Sequence, residues 1–476
     1  MTPARAKPKR AKATGAKPKR AKATGATPKR SKAKSSKAKS SRSAKSKRAT
    51  AKPAPPIEYS LLLTATLCLL AFGVVMVFSA SSTTSLLGDS GDGAFFLKRT
   101  LLFGALGLVA MRVLSLRGLQ LARDLTPLLL AISIVLLVAV LAPGIGIEAN
   151  GARRWIGAGL FQVQPSEIAK LALILYGAHL MAARPRFVRD IRSMLPYLLV
   201  VTVASGLIVI EPDLGSALVV AFAVAAMLVA GGAKLRHLGL VAAAVALVAL
   251  LAIAIEPYRQ ARLTGFLHPG ADASGAGFQG IQASIALGSG GIFGVGLGES
   301  VQKAFYLPEA HTDMIAAVIG EELGLVGITG LVGLFVMFGY AGFRTAQRAR
   351  DRYGKLLAAG LTSLIMVQTA INLFAVMGLA PLTGVPLPFV SYGNSSLLVM
   401  LVAVGLLLNI ARGGTVAAAQ PATRGGRAAA KLRVVEGGRT TRPRRSSRSN
   451  GNGRHSGGRN RRARGAGARG RGRAAR

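Results

Sequence analysis

Cysteine is nearly absent: Cys68 is the single one in 476 residues, and it lies inside an apolar run. One chain therefore has no disulfide framework and no thiolate metal site. Acids are scarce too, 18 against 61 lysines and arginines, for a formal net charge of +43. A soluble protein of that charge would be hydrophilic, yet 51% of residues are hydrophobic and mean hydropathy is +0.44. Both hold only if charge and apolar surface are segregated along the chain. Residues 1–58 carry 20 bases and residues 412–476 carry 19, with one acid in each segment, Glu58 and Glu436. The middle keeps 22 bases and 16 acids, close to balance. A single soluble basic globule is excluded.

Soluble-enzyme signatures are missing as well. The alternating glycines Gly294, Gly296 and Gly298 are no dinucleotide fingerprint, because no strand precedes them and no acid-bearing βαβ unit follows. There is no P-loop lysine, no HExxH and no nucleophile elbow. The first 56 residues are too long, basic and Pro/Ser-rich for a signal peptide. No small-residue cleavage site follows the apolar stretch at 59–80, so that stretch is expected to remain as a membrane segment.

What is present is apolar length. A hydrocarbon core about 30 Å thick needs roughly 20 apolar residues in a helix. Such runs recur near 59–80, 99–114, 125–142, 165–183, 195–210, 214–231, 237–255, 314–340, 356–378 and 394–411. The expected fold class is an all-α polytopic membrane protein of about ten transmembrane helices. The positive-inside rule orients it. Bases crowd the loops at 112–123, 184–192, 234–236 and 344–355, whereas 80–97 contains Asp89 and Asp92 and no base, 211–213 is Glu-Pro-Asp and 379–393 is uncharged. Both termini are then cytoplasmic. The loop at 143–163 is the exception, with Arg153 and Arg154 on the outer face.

Three segments result. Residues 1–57 form a basic cytoplasmic tail with decapeptide repeats (AKPKRAKATG at 6–15 and 16–25), 58–412 a ten-span membrane domain, and 413–476 an Arg/Gly-rich cytoplasmic tail. Both tails are expected to be disordered, since neither can bury enough apolar area to offset the entropy of ordering. Anionic lipids are their expected partner; no aromatics interleave the bases to suggest nucleic-acid readout. Between spans 7 and 8 lies a large outer loop, 256–313, whose Phe278, Ile281, Ile285, Ile292 and Phe293 suggest a packed, re-entrant element.

Ionisable groups within spans are functional candidates by default. Glu167 and Lys170 share a helical face, either as a self-neutralising pair or as a polar lining for an anionic ligand. Arg153 and Arg154, beside the single tryptophan Trp155, could meet a phosphate as planar forks. Asp213, in Glu211-Pro212-Asp213, is a helix cap or a site residue. His311-Thr312-Asp313 enters the eighth span, and helical spacing lets Asp313 and Glu321 share a cavity while Glu322 faces another helix. By itself this pattern describes an outward polar site for an anionic, lipid-linked substrate and leaves the reaction open.

In order and at compatible spacing, NGARRWI (150–156), QPSEIAK (164–170), EPDLGSA (211–217), LPEAHTDMIAAVIGEELG (307–324) and PLTGVPLPFVSYGNSS (381–396) resemble the SEDS family of bacterial cell-wall proteins. The match covers 58–412 and is closer to the division branch than to the elongation branch. Two positions depart from the family pattern: Asn394 replaces a glycine and Met314 an aromatic. The resemblance implies a ten-span glycosyltransferase that polymerises lipid II into glycan strands during septal synthesis. It would work with a class B penicillin-binding protein among other division proteins. The family's essential acid falls on Asp313. Arg154, Glu167, Lys170 and Asp213 match other polar family positions, and His311, Glu321 and Ser391 complete the substrate-binding candidates. The expected mechanism makes Asp313 the general base, with Arg154 and Lys170 receiving the diphosphate, aided where needed by a divalent cation such as Mg2+; no cofactor is otherwise implied. The alternatives are a lipid II flippase, for which Glu167 and Lys170 would line a path, and an elongation polymerase.

Overall fold

The computed structural model describes residues 56–415 except 88–90, 150, 160, 185–186, 276 and 304–305. The two tails therefore lie outside the described residues but for their innermost few. The chain runs through α1 (Ile57–Leu87), α2 (Phe95–Leu141), β1 (Gly146–Ala149), β2 (Ala152–Ala158), β3 (Phe161–Val163), α3 (Pro165–Ala183), α4 (Ile191–Ile210) and α5 (Leu214–Ala230). It continues through α6 (Leu235–Ile255), α7 (Pro257–Leu267), α8 (Phe278–Ser289), α9 (Ile315–Arg348), α10 (Arg352–Val376) and α11 (Asn394–Ala411).

Among the described residues eight helices are long and apolar enough to cross a membrane: α1 to α4, α6 and α9 to α11. The ten expected runs reconcile with this number through α2 and α5. A straight helix of 47 residues would run about 70 Å. Yet Arg99, near one end of α2, donates to Gly159 O at 3.1 Å, and Val140 O, at the other end, crowds Gly146 of the same small sheet. The helix therefore bends back sharply. Between its two ends the carbonyls of Leu114 and Ser115 accept from Asn409 Nδ2 of α11 at 3.2 and 3.1 Å. The two arms of α2 are the runs expected at 99–114 and 125–142. The apolar helix α5, 17 residues long, starts at Asp213 and ends beside Val188.

Local chemistry sets the starts. Pro165 occupies the first turn of α3, where its missing N–H costs nothing. Asp190 caps α4 by accepting from Arg192 N, and Asp213 caps α5 by accepting from Ser216 N at 2.9 Å. The most enclosed helices are α10 and α11, at 72% and 83% buried, whereas α6 is 6% buried and presents its aliphatic surface outward.

The segment 143–163, expected as a loop, is instead the antiparallel sheet β1-β2-β3 with a bulge at Ile147/Glu148. It lies on one face of the helices, together with the 211–213 turn, α7, α8, the 290–313 segment and the 379–393 segment. Arg154, Gln164 and Ser395 tie the sheet and the start of α3 to the 211–213 turn and the start of α11. The basic loops gather at the opposite face, where Arg348 pairs with Glu58 and Arg412 with Tyr59.

Candidate functional site

Asp313 precedes α9 in a turn that is fixed on three sides. Asn372 of α10 donates through Nδ2 to Asp313 O and to Val385 O, both at 2.8 Å, so one amide joins the turn to the 379–393 segment. Tyr392 N donates to His311 O at 2.9 Å, and the His311 ring packs 4.3 Å from Phe96. Thr312 Oγ1 lies 2.9 Å from Glu309 Oε2 and 3.3 Å from Asp313 Oδ1. The Asp313 residue is 8% exposed. Burial, reinforced by the Glu309 charge, raises its carboxyl to about 6, and the Arg262 guanidinium partly offsets this.

Arg262 comes from α7, stacks on Tyr258 with 4.9 Å to the ring centroid and donates to Leu382 O at 3.0 Å. Between it and Asp313 stands Gly384, in the left-handed region at φ 70. A β-carbon there would sit 3.8 Å from Asp313 Oδ2 and 3.9 Å from Arg262 Nη1. Glycine thus keeps open a gap flanked by an acid and a cation. Two hollows meet at Arg262. One, of about 550 Å3, has aliphatic walls from α5, α6 and α10, including Leu218, Phe222 and Ile371. The other, of about 480 Å3, lies between α7, α8 and the end of α10. Asp313 stands just behind their shared rim rather than lining either.

The remaining candidates are brought near this site but given other work. Arg154 donates to Glu211 O at 3.1 Å and to Pro212 O, clamping that turn by its backbone. Lys170 is buried against Glu167 at 2.7 Å and Gln368 Oε1 at 2.8 Å. Neither cation expected to receive a diphosphate is free to turn to one here, because backbone carbonyls hold Arg154 and a sealed ion pair holds Lys170. Asp213 caps α5 and accepts from Gln164 Nε2 at 3.2 Å. Ser391 Oγ accepts from Leu387 N at 2.8 Å within its own loop.

Glu321 does not share a cavity with Asp313. It accepts from Ser300 Oγ and from Val301 N at 3.0 Å, while Glu322, as expected, turns to another helix, taking Ser79 of α1 at 2.7 Å and Lys303 Nζ at 2.8 Å. The helical spacing behind that expectation fails because Asp313 stands in the turn before α9, whose first residue is Ile315. Just beyond the two acids α9 breaks at Gly324 (φ 64, ψ −159). Val295 N and Gly296 N donate to Glu321 O and Glu322 O at 2.9 and 3.0 Å, and Leu325 N and Val326 N donate to Gly291 O and Ile292 O at 3.0 and 3.1 Å. The outer segment is therefore packed into the membrane domain through a helix break.

Among the described residues no group of three or more His, Cys, Asp and Glu is placed to hold a metal ion. The carboxylates that interact at this site are Asp313 and Glu309. Two such ligands suit Mg2+ only where phosphate oxygens and water complete the octahedron.

Sequence reasoning missed Arg262, Asn372, Gln368 and Lys303. The rule that singled out Arg153 and Arg154 also applied to Arg259 and Arg262, bases on the outer side, but the length of their loop hid them. Asn372 and Gln368 carried a signal as amides inside an apolar span.

The chain matches the FtsW/RodA/SpoVE family model, described as cell cycle protein, over residues 59–415. It is 44% identical over 365 residues to a probable peptidoglycan glycosyltransferase FtsW of Trichlorobacter lovleyi, covering 76% of this chain and 95% of that one. It is 43% identical to stage V sporulation protein E of Bacillus subtilis, over 76% and 98% of the two chains. A solved peptidoglycan synthase complex, described for its coordination of polymerization and crosslinking, aligns at TM-score 0.61 and 33% identity over 74% and 96%. The rod shape determining protein RodA of Thermus thermophilus aligns at TM-score 0.54 and 30% identity over 74% and 95%.

Proposed function

The chain belongs to the FtsW/RodA/SpoVE family of cell cycle proteins and is an FtsW-like peptidoglycan glycosyltransferase, and from that premise we propose that it polymerises lipid II with Asp313 as general base. The gap over Gly384, flanked by Asp313 and Arg262 at the rim of a largely apolar hollow, carries this reading. The acceptor's GlcNAc 4-hydroxyl attacks the donor's MurNAc anomeric carbon. An O4–C1 bond forms, the bond from C1 to the undecaprenyl diphosphate oxygen breaks, and the hydroxyl proton passes to Asp313. Charge grows on the departing diphosphate, and a preorganised cation there lowers the barrier. Arg262 takes that role in place of Arg154 and Lys170. Positioned proton transfer is typically worth about 10²–10⁴-fold.

The site face is extracytoplasmic in this proposal, so sugars react outside while polyprenyl tails rest along α5, α6 and α10. The sealed state of Glu167 and Lys170 supports a polymerase over a flippase, since neither lines a route. A class B penicillin-binding protein is the proposed partner and the division septum the proposed location. Purified protein with lipid II, alone and with that partner, should form glycan chains. Asp313→Asn should reduce them by about 100-fold or more with the fold intact. Full polymerisation by the variant would remove the base from the mechanism, and translocation of lipid II without chain formation would favour a transporter.

A further inference from the structure

The face opposite Asp313 carries a hollow that glycan polymerisation does not use. α1 begins there and α9 and α11 end there. Between them lies a cavity of about 260 Å3 lined by Pro56, Glu58, Arg348, Arg350, Ile410 and Arg412, among others. Three guanidinium groups thus surround one carboxylate. Glu58, 4% exposed, is already taken by Arg348. Arg412 Cζ lies over the Tyr59 ring, 4.3 Å from its centroid, and Nη2 donates to Tyr59 OH at 2.7 Å, contacts that position the guanidinium without neutralising it. Among the described residues neither Arg350 nor Arg412 is in an ion pair.

Arginines at helix C-termini have an ordinary explanation, because each such end carries roughly half a negative charge. Here the ends of α9 and α11 supply about one negative charge together, while the start of α1 adds about half a positive one beside two unpaired guanidinium groups. The surplus is about one to two positive charges, the complement of a phosphate anion. Pro56 and Ile410 give the cavity an apolar wall, and its place at the ends of membrane-spanning helices puts it at headgroup depth. Free phosphate has no use for either feature; a phosphate joined to acyl chains has use for both. The volume falls just below the usual range for small-molecule pockets, roughly 300–1,000 Å3, and so suits a headgroup rather than a whole lipid.

We propose that this hollow binds the phosphodiester headgroup of an anionic phospholipid, with Arg350 and Arg412 as the donors and Arg348 holding Glu58 out of the way. Basic pockets between membrane helices recognise such headgroups in this manner. The bound lipid would seal the start of α1 against the ends of α9 and α11, at the point where the first basic segment of the sequence ends and the second begins.

The test uses the full-length protein in nanodiscs of phosphatidylglycerol with phosphatidylcholine, then gentle detergent extraction and native mass spectrometry. Wild type should retain phosphatidylglycerol in preference to phosphatidylcholine. Arg350→Gln with Arg412→Gln should weaken retention by roughly 5-fold per arginine lost, and Arg350→Lys with Arg412→Lys should restore most of it. Arg112→Gln with Arg117→Gln, exposed elsewhere on the same face, should change it little. Equal retention of both lipids, an unaffected Gln double variant, or an equal loss in the Arg112/Arg117 control would overturn the site. Displacement by inorganic phosphate at matched concentration would overturn its assignment to a lipid. A monodisperse elution profile and retained glycan synthesis by the Gln double variant separate lost binding from lost fold.

Discussion

As the proposed base, Asp313 must be ionised to accept a proton, yet its surroundings hold the carboxyl at about 6, above its ordinary value of 3.8. At neutral pH it is still mostly a carboxylate, and a base of that strength is better matched to a hydroxyl proton than an ordinary aspartate. The expected pH–rate profile of kcat/KM rises roughly tenfold per unit on its acid limb, bends near pH 6 and levels above it. Replacing Arg262 with Gln should move that bend upward, because the guanidinium holds the carboxyl down. Glu211 makes a different demand. Burial, with the Asp213 charge, pushes it to about 8 against the pull of Arg154, and neither carboxylate oxygen has a hydrogen-bond partner. Its folded pKa is raised, so the stability tied to its protonated form is full below about 4.5 and is lost as pH rises through 8. Glu211→Gln should therefore raise Tm relative to wild type more at pH 9 than at pH 5, by at least about 2 °C. Of these residues Asp313 was legible from the motif around it. Arg262 was not, because nothing in the sequence tells how a long loop folds back to bring its base beside an acid 51 residues later.

The helices were legible as apolar runs, while their interruptions were not. Hydropathy marks where a segment can cross lipid, but it is silent on whether adjacent runs join through a helical bend, as in α2, or whether one run breaks, as α9 does at Gly324. The break matters because it exposes backbone groups in an apolar setting, where each unmet group would cost several kcal/mol. The 290–296 backbone meets them, and the adjacent acids secure the neighbouring stretch: Glu321 holds residues 300–302 and Glu322 holds Lys303. Lys303 is 5% exposed and also donates to Gly298 O at 2.6 Å. Lys303→Met should leave Glu322 charged, buried and held by the Ser79 hydroxyl alone, and cost about 3–5 kcal/mol. Adding Glu322→Gln should recover much of that loss, because the stranded charge is gone. Denaturation midpoints in detergent for the two single variants and the double would decide it; simple additivity would mean that the pair does not act as a unit.

Across the whole molecule, segregation of charge foretold two unlike faces, and the structure sets acid-bearing turns and the sheet on one and the arginine-rich loops on the other. The small sheet escaped because residues 143–163 are short in β-branched alternation, so that its strands owe their form to pairing and to anchorage on Ser395 and Gln164. The fold as a whole also explains why the hollow beside Arg262 is apolar on most sides. It is walled by α6, which has few neighbours, and by α5 and α10, which have many, so one wall is free to adapt to a flexible chain while the other stays fixed. A polyprenyl tail needs such a groove, and the sugars do not. Ala370→Trp would narrow the hollow from its fixed wall, at a residue that lines it on α10. For lipid II with its full tail, kcat/KM should fall by roughly tenfold, the scale on which an apolar pocket distinguishes chain lengths. A short-tailed analogue, which reaches less of the groove, should lose far less. Equal losses for both would place the tail elsewhere in the bilayer and leave the groove without a part in substrate binding.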